Sequence, residues 1–335
     1  MEQKTLGLFI MSYGSPEHEK DLKDYYTHIR NGKVPTDEMM AELREKYEGI
    51  GGVSPLAKIT KAQMDALASH LNSVQDQIEV KLYEGFKHVA PFIEDGVKKM
   101  KEDGIEAAVC LVLAPHDSKF NQMTYVARAK KDAEELNGPK LFFAKEWYHL
   151  PEYIDFWVNG IENILQGMSK KEQEKAAIFI TAHSLPVAAL KGCPYQKQVE
   201  HTAELIKEKL GHKNVYVAWQ SAAVGSKPGT WLEPSVLDLT QKLVQEEGYT
   251  SIIYAPVGFV ADHLEVLFDN DVECKDLAEK LGIQYFRPPM PNTDQKFIEG
   301  LGKHLISMCT YEEWKRDKKP LQGSKSLEHS IVASR

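Results

Sequence analysis

Cysteine is scarce in this chain: the 335 residues contain only Cys110, Cys193, Cys274 and Cys309, and no two form a C-x-x-C pair. That spacing gives neither a closed zinc site nor an iron–sulfur cluster a foundation, so no cluster is expected, and it suits a reducing compartment. Cys110 lies in the apolar run 109–113 and reads as a core residue. Long hydrophobic runs are also missing. No stretch approaches about 18 apolar residues, and the run after Met1-Glu2-Gln3-Lys4 is too short and wrongly flanked for a signal peptide. The expectation is a cytoplasmic protein without integral membrane contact. A basic excess is absent as well, and the formal net charge of −8 argues against general nucleic-acid binding. It leaves room for a local basic cluster facing a small anion. No G-x-G-x-x-G or Walker pattern opens a helix, which weighs against nucleotide binding.

What is present is normal for a globular chain, with 42% hydrophobic and 27% charged residues, enough for one large domain or two ordinary ones. Short apolar segments at 6–12, 80–83, 108–113, 141–144, 178–181, 215–218, 251–254 and 284–286 read as buried parallel strands. Amphipathic segments such as 57–71, 91–101 and 234–246 read as helices between them. This alternation predicts an α/β fold with parallel sheets covered on both faces.

The chain also repeats itself. One half begins with a strand ending Met11-Ser12-Tyr13-Gly14-Ser15-Pro16, and the other with one ending Thr181-Ala182-His183-Ser184-Leu185-Pro186. Each then offers a second strand, a helix-opening proline (Pro91, Pro234), an acidic-Gly helix end (Asp103-Gly104, Glu247-Gly248) and a strand finishing in Ala-Pro (114–115, 255–256). Two related halves are expected, divided within 148–175. Ligands of open parallel sheets bind beyond the carboxyl ends of strands. Facing halves would therefore set Tyr13 and His183 on opposite walls of one cleft. The last residues, 315–335, lack an apolar period and read as a disordered tail.

A lone strand-end histidine such as His183 is most often satisfied by backbone groups. The segment 262–273 changes that weighting. On a helix, Glu265, Asp269 and Glu273 fall at i, i+4 and i+8 and form an acidic stripe, although like charges at that spacing cost about 0.2–0.5 kcal/mol per pair. Most such runs are solvated faces, but this one starts at the carboxyl end of a core strand. One imidazole and one carboxylate form an incomplete N/O donor set, suited to an Fe(II) ion that must be handed on. His263-x-Glu265 is not a zinc-protease motif, since side chains two apart diverge on a helix.

Tyr-Tyr-Thr-His-Ile-Arg (25–30), Gly-Ile-Gly-Gly-Val-Ser-Pro-Leu (49–56), Thr-Ala-His-Ser-Leu-Pro (181–186), Trp-Gln-Ser (219–221) and Val-Gly-Phe-Val-Ala-Asp-His-Leu-Glu-Val-Leu (257–267) resemble ferrochelatases, most closely the soluble Gram-positive coproporphyrin III branch. The resemblance runs from Leu6 to about Leu305. It implies a chelatase fold: two similar Rossmann-like domains, each with a four-stranded parallel sheet, and the active-site cleft between them. Residues 1–150, joined by a C-terminal helix over about 292–310, would form one domain and 151–290 the other. By resemblance His183 and Glu265 match the catalytic, metal-binding pair, and Asp269 and Glu273 the acidic path. Tyr13, Arg30, Lys46, Tyr47, Ser54 and Tyr125 match porphyrin-contacting positions. Lys87, on the next strand–helix turn, joins Arg30 and Lys46 as a partner for propionates. Fe2+ would be a substrate, with Mg2+ or another divalent ion suited to the stripe. The implied partners are coproporphyrin III and the haem-pathway enzymes upstream and downstream, acting with a monomeric chelatase.

The sequence departs from the family pattern in places: Lys46 stands where arginine is common, the loop 115–120 is unusually charged, and Ala222-Ala223 follows Trp-Gln-Ser where an acidic residue is usual. Three other readings stay open: a chelatase for protoporphyrin IX, a cobalt-inserting one, and a non-catalytic porphyrin- or haem-binding paralogue.

Overall fold

Among the described residues, eight parallel strands divide into two sheets of four. The structure is a computed structural model that describes residues 4–74, 78–222, 227 and 229–312; the predicted tail at 315–335 lies outside them. The first sheet holds β1 (Lys4–Ser12), β2 (Ile78–Phe86), β3 (Ala107–Val112) and β4 (Lys140–Phe143) in the order β2-β1-β3-β4. The second holds β5 (Ala176–His183), β6 (Val215–Gln220), β7 (Ser251–Ala255) and β8 (Gln284–Phe286) in the order β6-β5-β7-β8. The same order twice fits the internal repeat, and it places β1 and β5 at equivalent central positions.

Three α-helices precede β2: α1 (Leu22–Ile29), α2 (Asp37–Gly49) and α3 (Leu56–Ser73). Then come α4 (Ile93–Glu102), α5 (Gln122–Leu136), α6 (Pro151–Gln166), α7 (Lys170–Glu174), α8 (Tyr195–Leu210) and α9 (Val236–Glu247). A π-helix (Glu265–Cys274), α10 (Lys275–Leu281) and α11 (Gln295–Glu312) complete the described chain. None of these helices is long and apolar enough to cross a membrane.

The prolines predicted to open helices sit outside them. Helix α4 begins two residues after Pro91, where the Asp95 carboxylate accepts from Phe92 N–H at 2.7 Å. Helix α9 begins two after Pro234, where Ser235 Oγ accepts from Asp238 N–H at 3.1 Å. A capping carboxylate or hydroxyl satisfies orphan N–H groups of the first turn, which proline cannot do from outside it. At the far ends Gly104 (φ +72°) and Gly248 (φ +68°) turn the chain in left-handed conformations that a side chain would strain.

One hydrophobic core underlies both sheets. It joins Leu8 and Ile10 of β1, Ile178 and Ile180 of β5, Trp147, Tyr153 and Trp157, and Phe297 and Leu301 of α11. Helix α11 returns from the second sheet to pack on α3 and α6. Two glycines permit the approach: a Cβ at Gly302 would lie 2.4 Å from His70, and one at Gly300 would lie 2.7 Å from Glu152. Tyr153 on α6 donates to the Val257 carbonyl, and Gln63 on α3 donates to the carbonyls of Val260 and Asn292 at 2.9 and 2.8 Å. The segment after β7 is thus held by α6, and the segments after β7 and β8 are tied by Gln63 to the first half of the molecule.

Candidate active site

His183 is the last residue of the central strand β5. Its Nδ1 lies against the Ser184 carbonyl, which can only accept, so the proton belongs on Nδ1 and the Nε2 lone pair is free. Nε2 stands 3.6 Å from Glu265 Oε2, and both side chains are about one-third exposed (33% and 35%). The strand end is fixed from behind. Tyr195 OH donates to the His183 carbonyl at 2.9 Å, and Ser184 N–H donates to the Gln220 carbonyl at 2.7 Å. Gly258, in the turn after β7, sits so close that a Cβ there would fall 2.7 Å from the Ala182 Cβ.

Glu265 opens the π-helix. The sequence spacing predicts an α-helical stripe, and the structure corrects the winding while keeping the residues in order. At the C-terminal end Lys275 N–H bonds to Asn270, an i→i+5 link. Such winding is rare, seldom exceeds one turn, and concentrates at functional sites. Its inner residues Val266, Asn270 and Cys274 are buried completely. Gln220 on β6 engages the first turn: its Nε2 donates to the Glu265 carbonyl at 3.2 Å, and its Oε1 accepts from Asn270 at 3.3 Å and Thr181 at 2.8 Å. The i→i+4 spacing of the acidic residues looks α-helical; these tertiary anchors are what the sequence pattern does not display.

The acidic residues differ in burial, the middle one being the most enclosed. Glu273 is exposed, Asp269 is 7% exposed, and Glu265 is half-buried beside His183. Burial, then the charges of Glu265 and Glu273, raise the Asp269 pKa to about 7, against the opposing pull of the Ser221 hydroxyl and Lys46. Ser221 donates to Asp269 Oδ2. The carboxyl therefore exchanges its proton near neutrality. His263 lies nearby, with Nδ1 donating to Ala261 O at 3.0 Å, and burial holds its pKa below the usual imidazole value.

Tyr13 follows β1 and is 39% exposed. Desolvation first, then Glu265 and Tyr47, raise its pKa well above the phenol range, so it stays protonated. The Tyr13 ring packs on His88 at 4.5 Å, and Lys87 Nζ lies 5.8 Å from the Tyr13 ring centre and 5.9 Å from that of Tyr125. Lys87 also donates to Phe120 O at 2.6 Å, and desolvation followed by Arg128 lowers its pKa.

The three cations expected as one basic set stand on separate aromatic rings. Arg30 is 5.6 Å from the Tyr26 ring centre and is engaged by Met39 Sδ (2.9 Å) and the Lys33 carbonyl (3.2 Å), whereas Lys46 lies over Phe268 of the π-helix at 5.3 Å. Tyr47, Ser54 and Tyr125 are buried. Tyr47 packs with Leu22 and Met40 in a small core beneath α1 and α2, and Ser54 Oγ accepts from Leu56 N–H at 3.3 Å. Apolar side chains stay exposed in the loops beyond β3 and β5: Phe120, and Val187 just past His183. Sequence reading missed Gln220, Ser221, Tyr195 and His88. Trp-Gln-Ser, which closes the edge strand β6 and reads only as a motif, and Lys-His directly after β2 were the signals available for Gln220, Ser221 and His88.

Two four-stranded parallel sheets of the same strand order form a chelatase fold. The fold is similar to that of SirB from Bacillus subtilis solved with Fe3+, at a TM-score of 0.60 and 12% identity over 92% of this chain and 97% of that one. CbiX, described as the terminal enzyme for biosynthesis of sirohaem in denitrifying bacteria, has a TM-score of 0.51 at 11% identity over 90% and 98% of the two chains. More particularly, the chain belongs to the ferrochelatase family, which it matches over residues 5–308. Proteins named coproporphyrin III ferrochelatase from Anoxybacillus flavithermus and Oceanobacillus iheyensis are each 50% identical to it, covering 92% and 93% of this chain and 97% and 99% of theirs.

Proposed function

We propose that this ferrochelatase inserts Fe2+ into coproporphyrin III, with iron held by His183 and Glu265. The observation that carries this reading is the free His183 Nε2 facing Glu265, the first carboxylate of an acidic row along the π-helix. Iron supplied through Glu273 and Asp269 would meet two protein donors and keep other positions for water or pyrrole nitrogen. Insertion releases both inner N–H protons as the ion takes their place. Once the ion has passed to the ring, the vacated His183 Nε2 can accept one of these protons, and the Asp269 carboxyl, which titrates at about 7, can take one and pass it outward. Protonated Tyr13 would face the other side of the macrocycle. A rigid cleft assists by binding the bent ring, whose lone pairs point out of plane, better than the flat one.

Around that centre, exposed Phe120 and Val187 offer apolar contact to the macrocycle. Arg30, Lys46 and Lys87 supply charge for propionates, supported from beneath by Tyr47, Ser54 and Tyr125. Residues 1–150 with α11 are read as one domain and 151–290 as the other, supported by the repeated strand order. The same reading makes the protein a cytoplasmic monomer that serves the haem-pathway enzymes before and after it. It uses no iron–sulfur cluster, and the stripe admits Mg2+ as an alternative occupant.

Anaerobic absorbance with ferrous iron and coproporphyrin III tests the reading. Repeated turnover with a Soret shift is expected. A shift that stops at the stoichiometric point would mark a carrier, and turnover confined to cobalt or protoporphyrin IX would mark a different chelatase.

A further inference from the structure

The π-helix needs an explanation, because its backbone is wound against the usual preference over ten residues, Glu265–Cys274. Gln220 and Ser221 grip its inner face. On another face stands Arg287, just beyond β8, whose side chain is only 13% exposed. Its Nε and Nη2 donate to the two carboxylate oxygens of Asp271 at 2.6 and 2.7 Å, a bidentate fork in the middle of the π-helix. Nη2 also pairs with Asp262 Oδ1 at 3.3 Å, just upstream of the helix. Tyr285 OH donates to Asp271 at 2.7 Å.

Asp262 is itself anchored: Asn292 Nδ2 donates to its carboxylate at 2.8 Å, and its N–H donates to Asn292 Oδ1 at 2.9 Å. Gln63 of α3 then takes the Asn292 carbonyl at 2.8 Å. A single guanidinium thus ties the entry of the π-helix to its middle, and through Asn292 to the first half of the protein.

We infer that Arg287 is a positioning residue for iron delivery, holding the π-helix in the rotational phase that aims Glu265 at His183. An α-turn advances about 100° per residue and the wider turn about 20° less, so over the six steps from Glu265 to Asp271 the two windings diverge by roughly 120°. If Asp271 is fixed and the winding relaxes, Glu265 leaves His183. Lysine at 287 keeps the charge but cannot form the planar fork. This inference rests on the reading of Glu265, Asp269 and Glu273 as the iron path.

The test uses Arg287→Lys and, as a milder change, Asp271→Asn in the full-length protein. Each is followed by steady-state kinetics, porphyrin-binding fluorescence and a crystal structure. Expected are an apparent KM for ferrous iron raised roughly fivefold or more, a porphyrin KM within about twofold, and a longer His183–Glu265 separation. A well-folded Arg287→Lys protein that retains both the winding and the separation overturns the inference. So does one in which both KM values rise together, the mark of a merely structural residue. The underlying path fails separately: Asp269→Asn with Glu273→Gln leaving the iron KM unchanged removes the path, whatever Arg287 does to the winding.

Discussion

Replacing Asp269 by asparagine should stabilise the protein while impairing iron delivery. The Asp269 carboxyl is 7% exposed and titrates at about 7, chiefly through burial and then the charges of Glu265 and Glu273. An unfolded aspartate titrates at about 3.9, so between about pH 4 and 7 the folded chain holds more protons than the unfolded one. Stability must therefore fall as pH rises through that window, and the full penalty of ionised Asp269 is present above it. Taken literally the displacement corresponds to about 4 kcal/mol. Asparagine can still accept from Ser221 but must itself be desolvated, so a gain of about 1–3 kcal/mol is the working expectation. Urea denaturation should show Asp269→Asn more stable than the parent at about pH 8, with the difference shrinking toward zero near pH 4. In the parent, the apparent KM for iron should rise as pH falls through 7, following loss of the charge; in the variant it should be high and flat. A variant less stable than the parent at pH 8, or a stability difference that ignores pH, would refute the account of the buried charge.

The eight strands were legible where burial is continuous and only in part where it is not. Central β5 is buried from Ala176 to Ala182, and the apolar run 178–181 announces it. Strand β2 is an edge strand whose burial alternates, so the segment 80–83 captures only the middle of Ile78–Phe86. The helix starts were misplaced because proline was weighed above capping, although Ser235 and Asp238 stand at capping-box spacing in the sequence. At the site, His183 and Glu265 lie 3.6 Å apart, a nearness that strand-end position and acidic spacing, both local signals, could suggest. The π winding was not legible, since i, i+4 and i+8 fit an α-helix equally well and the anchors come from Gln220 and Arg287, remote in the chain. The basic set was only partly foreseen. Proximity in sequence cannot reveal that Arg30, Lys46 and Lys87 each settle on a different ring.

His183→Ala should abolish iron insertion yet leave porphyrin affinity within about tenfold, ~1.4 kcal/mol, by fluorescence titration; near-parental turnover would remove His183 from the metal. Gly258→Ala should cost about 1–3 kcal/mol and lower kcat, because its Cβ would press on Ala182 immediately before His183; unchanged urea midpoints and kcat would show that the strand end yields freely. The last expectation concerns the choice of porphyrin. Coproporphyrin III carries propionates where protoporphyrin IX carries vinyl groups, so cationic partners should favour the former, and kcat/KM in detergent-free buffer is expected to follow. Arg30 contributes less than an unencumbered guanidinium would, because Nε and Nη1 are occupied by Lys33 and Met39. A charge-assisted bond is worth about 1.5–3 kcal/mol, and with part of the fork committed elsewhere the lower end applies, roughly tenfold. Arg30→Ala should therefore narrow the preference for coproporphyrin III by about that factor. If protoporphyrin IX proves the better substrate and Arg30→Ala changes neither rate constant, Arg30 is an ordinary surface charge resting on Tyr26, and the preference must come from elsewhere in the cleft.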